Sequence, residues 1–264
     1  MATLIDPTAS VDPRAELGED VEIGPFCMVG PDVVIGQGTR LVSHVSLTGA
    51  VVLGRENTVG RFSAVGCEPQ DSSYRGEPTR VEIGDRNAIH ENVTISRGTQ
   101  KEDGVTRLGS DNILMANVHV AHDCLLGDGV RLGLGVLLAG HVRIGSHATL
   151  DDGSVALQFV TVGCDSLARP MTKVGRDLPP YMVARGNPGE VCGVHAQGLR
   201  RRGLVGPDVA AMRMAHRLLF REKVEACRAE ERLLVLELLT PAVRQLLIFL
   251  SAQRAGRLGR ARGH

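Results

Sequence analysis

Between Ile5 and Val174 an aliphatic side chain returns every six residues, a period that few folds can use. The series runs Ile5, Val11, Leu17, Ile23, Val29, Ile35, Leu41, Leu47, Leu53, Val59, Val65, and resumes at Ile83, Ile89 and Ile95. After a slip of one residue it continues unbroken from Leu108 to Val174. Of these 26 positions only Ala156 and Ala168 are not Ile, Leu or Val, so chance hydrophobicity does not explain the phase. Six is neither the 3.6 of a helix nor the plain alternation of a half-buried strand. It fits a coil in which each side is a short strand plus a turn, the hexapeptide form of a parallel β-helix. Gly follows the repeat position 14 times, as a turn needing an unusual backbone conformation would require.

Two segments interrupt the period, 66–82 (GCEPQDSSYRGEPTRVE) and 96–107 (SRGTQKEDGVTR). Both are polar and rich in turn formers, and are expected as loops ejected from the prism. Beyond residue 190 the spacing becomes helical. Pro207 and Asp208 give one helix start, and Thr240 followed by Pro241 gives another. The chain therefore divides into a β-helix over 1–190 and a small helical domain over 191–264.

Thirty basic and thirty acidic residues cancel, so bulk charge gives no reason to expect nucleic acid. The cancellation is uneven: from Val191 onward there are 14 Lys and Arg against 6 Asp and Glu, leaving the first 190 residues acidic. A basic end on an acidic body suits a local anionic partner, or is a solvated helical surface with an Arg-rich tail. Six scattered cysteines without a C-x-x-C pair argue against a zinc ribbon or a disulfide framework and fit a reducing compartment. The N-terminus lacks the apolar core of a signal peptide, and no apolar run approaches the ~20 residues of a membrane span. A cytoplasmic location is expected.

The hexads resemble those of the left-handed β-helix acyltransferases, whose triangular coils hold three hexads each. That resemblance implies that residues 18 apart stack. His122 then lies below Gly140 and Gln158, and Asp123 below His141 and Phe159. Most of this polar cluster is expected on the outer surface at one corner. A His can remove a hydroxyl or amine proton at neutral pH, an adjacent Asp can orient it, and a Gly leaves its N–H open to an oxyanion. The same residues could instead satisfy turn backbone between subunits. A metal is a third reading, since γ-class carbonic anhydrases bind zinc on this scaffold. The His119-x2-His122 spacing differs from their His-x4-His, and no metal or cofactor is expected.

Six stretches narrow the resemblance: IGPFCMVGPDVVIG, GEPTRVEIGDRNAIHENVTISRGT, NVHVAHDC, LAGHVRIG, PPYMVARGNP and GLRRRG. They resemble the UDP-N-acetylglucosamine acyltransferases that open lipid A synthesis. The resemblance implies a homotrimer with active sites between subunits, moving a 3-hydroxyacyl chain from acyl carrier protein to the 3-hydroxyl of UDP-N-acetylglucosamine. It places the base on His122, its orienting acid on Asp123 and the oxyanion glycine on Gly140. Substrate contacts fall on Gln70, Asp71, His119, His141, Gln158 and Arg201. The family pattern is not fully kept: Ser73 stands where a Lys is usual, Leu157 for a His, His195 for an Asn near the nucleotide, and Arg169-Pro170 for a Gly pair. Pro170 is expected to shorten the acyl groove. Arg200 and Arg202 are expected to dock the acidic carrier protein. Other readings of the same residues are a paralogue acting on a different UDP-sugar, with N-acylation of an amino sugar, and a β-helix scaffold without catalysis.

Overall fold

Nearly every hexad becomes a strand of two to four residues in a computed structural model of the chain, which describes residues 3–259. The arginines at 260 and 262, part of the basic tail, lie outside the described residues. Every third strand pairs in parallel with its neighbour, giving three sheets of 11, 9 and 8 strands that form the sides of a triangular prism. The register follows the arithmetic of 18: Leu114 faces Leu132, Val120 faces Leu138 and Leu126 faces Ile144. The repeat residues from Ile23 to Val174 are buried, and each fully buried Leu or Ile contributes about 1.5–3 kcal/mol of transfer free energy.

A second inward column, two residues before each repeat position, escaped the six-residue reading. It holds small side chains, among them Val21, Cys27, Thr39, Asn57, Asn87, Asn112, Val130 and Ser154, all buried. Its asparagines form a ladder. Asn57 Oδ1 accepts from the Asn87 amide at 2.9 Å, Asn87 Oδ1 from Asn112 at 2.9 Å, and Asn112 Oδ1 from Val130 at 2.7 Å. These three steps span 30, 25 and 18 residues, so the first loop adds twelve residues to its rung and the second adds seven. Twelve is two hexads and keeps the phase. Seven is one hexad plus one, which is the slip seen in the sequence.

The glycines after the repeat positions have a different cause from the one expected. Among the 14, only Gly66 has a positive φ. The left-handed residues stand at the corners and are mostly not glycine, as at Asp123 (φ 59°), His141 (64°) and Phe159 (64°). At most of these positions glycine follows the repeat residue because the next rung leaves no room for a side chain. A Cβ on Gly60 would lie 2.6 Å from the His90 carbonyl carbon.

The loops are shorter than their interrupted periods, because strands Ala64–Cys67, Arg80–Ile83, Thr94–Ser96 and Val105–Leu108 extend into them. After the prism, Met182–Arg185 and Glu190–Val194 pair antiparallel. Helices follow: α1 (Ala196–Arg201), α2 (Pro207–His216), α3 (Ala226–Val235) and α4 (Pro241–Arg254). Pro207 begins α2, and Thr240 caps α4 by accepting from the Val243 amide. The helical spacing from Pro207 to Leu239 does not give one rod. It passes through a π-turn at Arg217–Arg221 and breaks at Lys223, which has φ 54°.

Candidate active site

Both loops leave the prism at the same corner on successive rungs, since strands Ala64–Cys67 and Thr94–Ser96 are neighbours in one sheet. The next rung at that corner carries His122 and Asp123, and the one after it His141. The second loop folds down over them. Contrary to the expectation of an outer-surface cluster, His122, Asp123 and His141 are buried within the single chain, at 4%, 1% and 3% exposure. Buried polar groups require partners, and here they have them.

His122 Nδ1 lies 2.8 Å from Asp123 Oδ2, so the ring donates from Nδ1 and presents Nε2 as the acceptor, a tautomer assigned from the network. Asp123 Oδ1 accepts from the Thr99 amide at 2.8 Å, and Oδ2 from the Thr99 hydroxyl at 2.7 Å. The Asp123 amide donates to the Thr106 hydroxyl at 2.8 Å. Burial opposes the charge on Asp123, but the hydrogen bonds from His122 and Thr99 outweigh it and hold the carboxyl below its usual range. His141 Nε2 stands 3.7 Å from the same carboxylate, its Nδ1 lies 3.3 Å from Glu102, and its ring stacks on Phe159 at 4.4 Å. Burial lowers its pKa, as it does for His119.

Gly140 is required by the base itself. The three atoms nearest a Cβ built there belong to the His122 ring, the closest at 2.5 Å. Its amide donates to no backbone carbonyl of the described residues. From the first loop, Asp71 brings Oδ2 to 4.0 Å from His122 Nε2. Lys101 and then Ser73 hold the Asp71 carboxyl well below the usual range. His119, half-buried on the neighbouring strand, shares a 2.7 Å hydrogen bond with the Thr94 hydroxyl. Gln70 and Gln158 are exposed at the same corner.

The remaining expected residues stand elsewhere. His195 is buried and bonds the Asp165 carbonyl at 2.8 Å, Arg201 reaches the His147 carbonyl at 3.4 Å, and Arg202 pairs with the Asp165 carboxylate at 2.9 Å. His147 and Asp165 line a second corner. Pro170 is exposed on the third, next to Met171 at 73% exposure. Arg200 is exposed, whereas Arg202 is engaged within the chain.

Thr99, Thr106, Glu102 and Lys101 complete the site and were not singled out from the sequence. Thr99, Glu102 and Lys101 lie on the second loop, which has no period, and their spacings of 24, 39 and 30 residues from Asp123, His141 and Asp71 give no register to read. Thr106 stands on strand Val105–Leu108, in the polar inward column that an aliphatic pattern passes over. His122, Asp123 and His141 are a potential ligand set, with donor atoms within 4.8 Å of one another. Yet His122 Nδ1 and both Asp123 oxygens already serve one another and Thr99, the pattern of an oriented base. Among the described residues no helix is long and apolar enough to cross a membrane.

The family model described as Udp N-acetylglucosamine O-acyltransferase, domain 2, matches residues 177–258, and a model of six bacterial transferase hexapeptide repeats matches residues 14–49. The chain is similar to the UDP-N-acetylglucosamine acyltransferase of Bacteroides fragilis, with 33% identity, coverage of 93% and 96% of the two chains, and a TM-score of 0.89. Its match to the Acinetobacter baumannii enzyme has 38% identity, 93% and 95% coverage and a TM-score of 0.87. The Arabidopsis enzyme matches at 29% identity, 92% and 94% coverage and 0.80.

Proposed function

Because this chain belongs to the UDP-N-acetylglucosamine O-acyltransferase family, we propose that it moves a 3-hydroxyacyl chain from acyl carrier protein to the 3-hydroxyl of UDP-N-acetylglucosamine, with His122 as general base. The observation that carries this reading is the His122 ring, held at Nδ1 by Asp123 while Nε2 faces the loop-covered corner beside Gly140. Nε2 takes the proton of the 3-hydroxyl as that oxygen attacks the thioester carbonyl. The carbonyl oxygen becomes an oxyanion within reach of the Gly140 amide. Collapse breaks the carbon–sulfur bond, and the imidazolium returns its proton to the leaving thiolate. Asp123 stabilises the charged imidazole throughout without taking its proton.

A homotrimer is part of the proposal. The base stands on one corner, His195 and Arg201 on a second and Pro170 on a third, so one chain cannot bring them to one substrate. Rotational symmetry presents the face between the second and third corners of one copy to the first corner of another. In that arrangement His195 and Arg201 meet the nucleotide, Gln70, Asp71, His119, His141 and Gln158 meet the sugar and acyl groups, and Pro170 limits chain length. The basic C-terminal face with Arg200 suits an acidic carrier protein by steering. The reaction would open lipid A synthesis in the cytoplasm. The test is acyl transfer from a panel of 3-hydroxyacyl carrier proteins to UDP-N-acetylglucosamine, with His122→Ala as control. Turnover abolished by the substitution supports the reading; absence of turnover with every donor, with transfer to a UDP-amino sugar instead, would overturn the acceptor.

A further inference from the structure

We infer that Lys101 is a positioning residue for the reaction proposed above: its ammonium clasps Asp71 across the two loops and keeps the carboxylate beside His122 from holding the base in its charged form. His122 lies between two carboxylates. Asp123 Oδ2 is 2.8 Å from Nδ1, and Asp71 Oδ2 is 4.0 Å from Nε2. An imidazole flanked by two negative charges favours the imidazolium, whose Nε2 carries a proton and cannot accept another. One carboxylate orients a base; a second, uncompensated one disables it at neutral pH.

Lys101 Nζ meets the same Asp71 oxygen that faces His122, at 2.6 Å. Ser73 fixes the other oxygen, with its amide at 2.8 Å and its hydroxyl at 2.6 Å. Asp71 stays ionised across the neutral range under these partners, so its charge must be balanced rather than removed. The other groups facing His122 do not supply that balance. His141 stands edge-on at 5.1 Å with Glu102 behind it, and burial disfavours the charged forms of both His141 and His119. Lys101 is the cation in contact with the carboxylate. The Lys101 side chain is half exposed, at 51%, while Asp71 is 10% exposed, so the lysine acts from the rim on a group at the mouth of the site. The contact joins loop 68–79 to loop 97–104 and also fixes where Asp71 stands.

The experiment uses Lys101→Met, which keeps the aliphatic stem and removes the charge. It reads the pH profile of kcat/KM and, in the unliganded protein, the His122 titration by carbon-13 NMR of labelled histidine. The acidic limb and the NMR midpoint of His122 move to higher pH, with activity on that limb, below both midpoints, falling about tenfold for a shift of one unit and recovering as pH rises. Lys101→Arg restores both. Adding Asp71→Asn to Lys101→Met returns the His122 midpoint to its original position. An unmoved midpoint in Lys101→Met, or a loss of activity equal at every pH, overturns the inference. If the unmodified enzyme acylates no UDP-sugar, the functional proposal fails, and the NMR titration still decides the clasp.

Discussion

Thr99 reaches Asp123 with both its backbone and its side chain, although the two residues are 24 positions apart: the amide donates to one carboxylate oxygen at 2.8 Å and the hydroxyl to the other at 2.7 Å. A loop residue thus fixes the residue that orients the base. Thr99→Val preserves the shape and the amide bond but leaves Asp123 short of one donor in a buried site. The expected cost is about 1–2 kcal/mol of stability, read as a lower denaturant midpoint, together with a reduced kcat.

Gly140→Ala separates the two explanations for a glycine under the base. Its Cβ would fall 2.5 Å from His122 Cε1, so the ring must turn and the Nδ1 bond to Asp123 is lost. Misplacement on this scale costs roughly 100-fold in rate. The three nearest atoms all belong to the ring, so the backbone need not shift, and the lost bond to Asp123 should lower the melting temperature about as much as Thr99→Val does. A Gly140→Ala enzyme with normal kcat would refute this account.

Two other glycines test the difference between crowding and conformation. Gly60 faces backbone of the next rung at 2.6 Å, whereas Gly135, at φ +63°, has nothing within 4 Å. Gly60→Ala must push a rung aside, with an expected loss of about 3 kcal/mol. Gly135→Ala meets only the left-handed backbone penalty, about 1–2 kcal/mol. Urea unfolding of the two variants gives the order directly.

Arg200 and Arg202 should behave differently despite their adjacency. Arg202→Ala leaves the fully buried Asp165 carboxylate without its cation. Breaking a buried pair costs about 3–5 kcal/mol, reduced here to about 2 because Arg202 is half exposed. Arg200→Glu touches no such partner and should leave the melting temperature unchanged while raising the KM for carrier protein at low salt.

The buried histidines set a pH window for stability. Burial holds His119, His141 and His216 below their ordinary value. The unfolded chain therefore binds more protons as pH falls below about 6.5, and the folded state loses stability from there downward. Asp71 and Asp123 are also held below their usual range, here by hydrogen bonds that favour the charged form, so their contribution is present above about pH 4 and is lost below it. Thermal melts should be flat from pH 8 to 7 and decline below 6.5. The decline should be shallower in His216→Leu.

The sequence made much of this legible because a prism is nearly one-dimensional. Once the period and three sides per coil were in hand, counting by 18 brought His122 to Gly140 and Asp123 to His141, as the pairing shows. What stayed hidden lay off the lattice. Thr99, Lys101 and Glu102 approach through a loop whose fold no periodicity describes, so neither the burial of the cluster nor the clasp on Asp71 could be counted out. The asparagine ladder was periodic but polar, and an aliphatic pattern passes over it. Gly60 and its equivalents were read as turn residues because sequence gives no measure of how close the next rung lies.

The two inserts open at one corner, and each rung beneath is closed by its own pairing. For a flexible insert, doubling its length adds only about 0.6 kcal/mol to the cost of closing it. A lineage can therefore lengthen, shorten or rewrite the roof over this corner with little effect on the walls. Enzymes of this build that come to accept different sugars should diverge first between Cys67 and Arg80 and between Ser96 and Val105, while the rung that carries the base stays as it was.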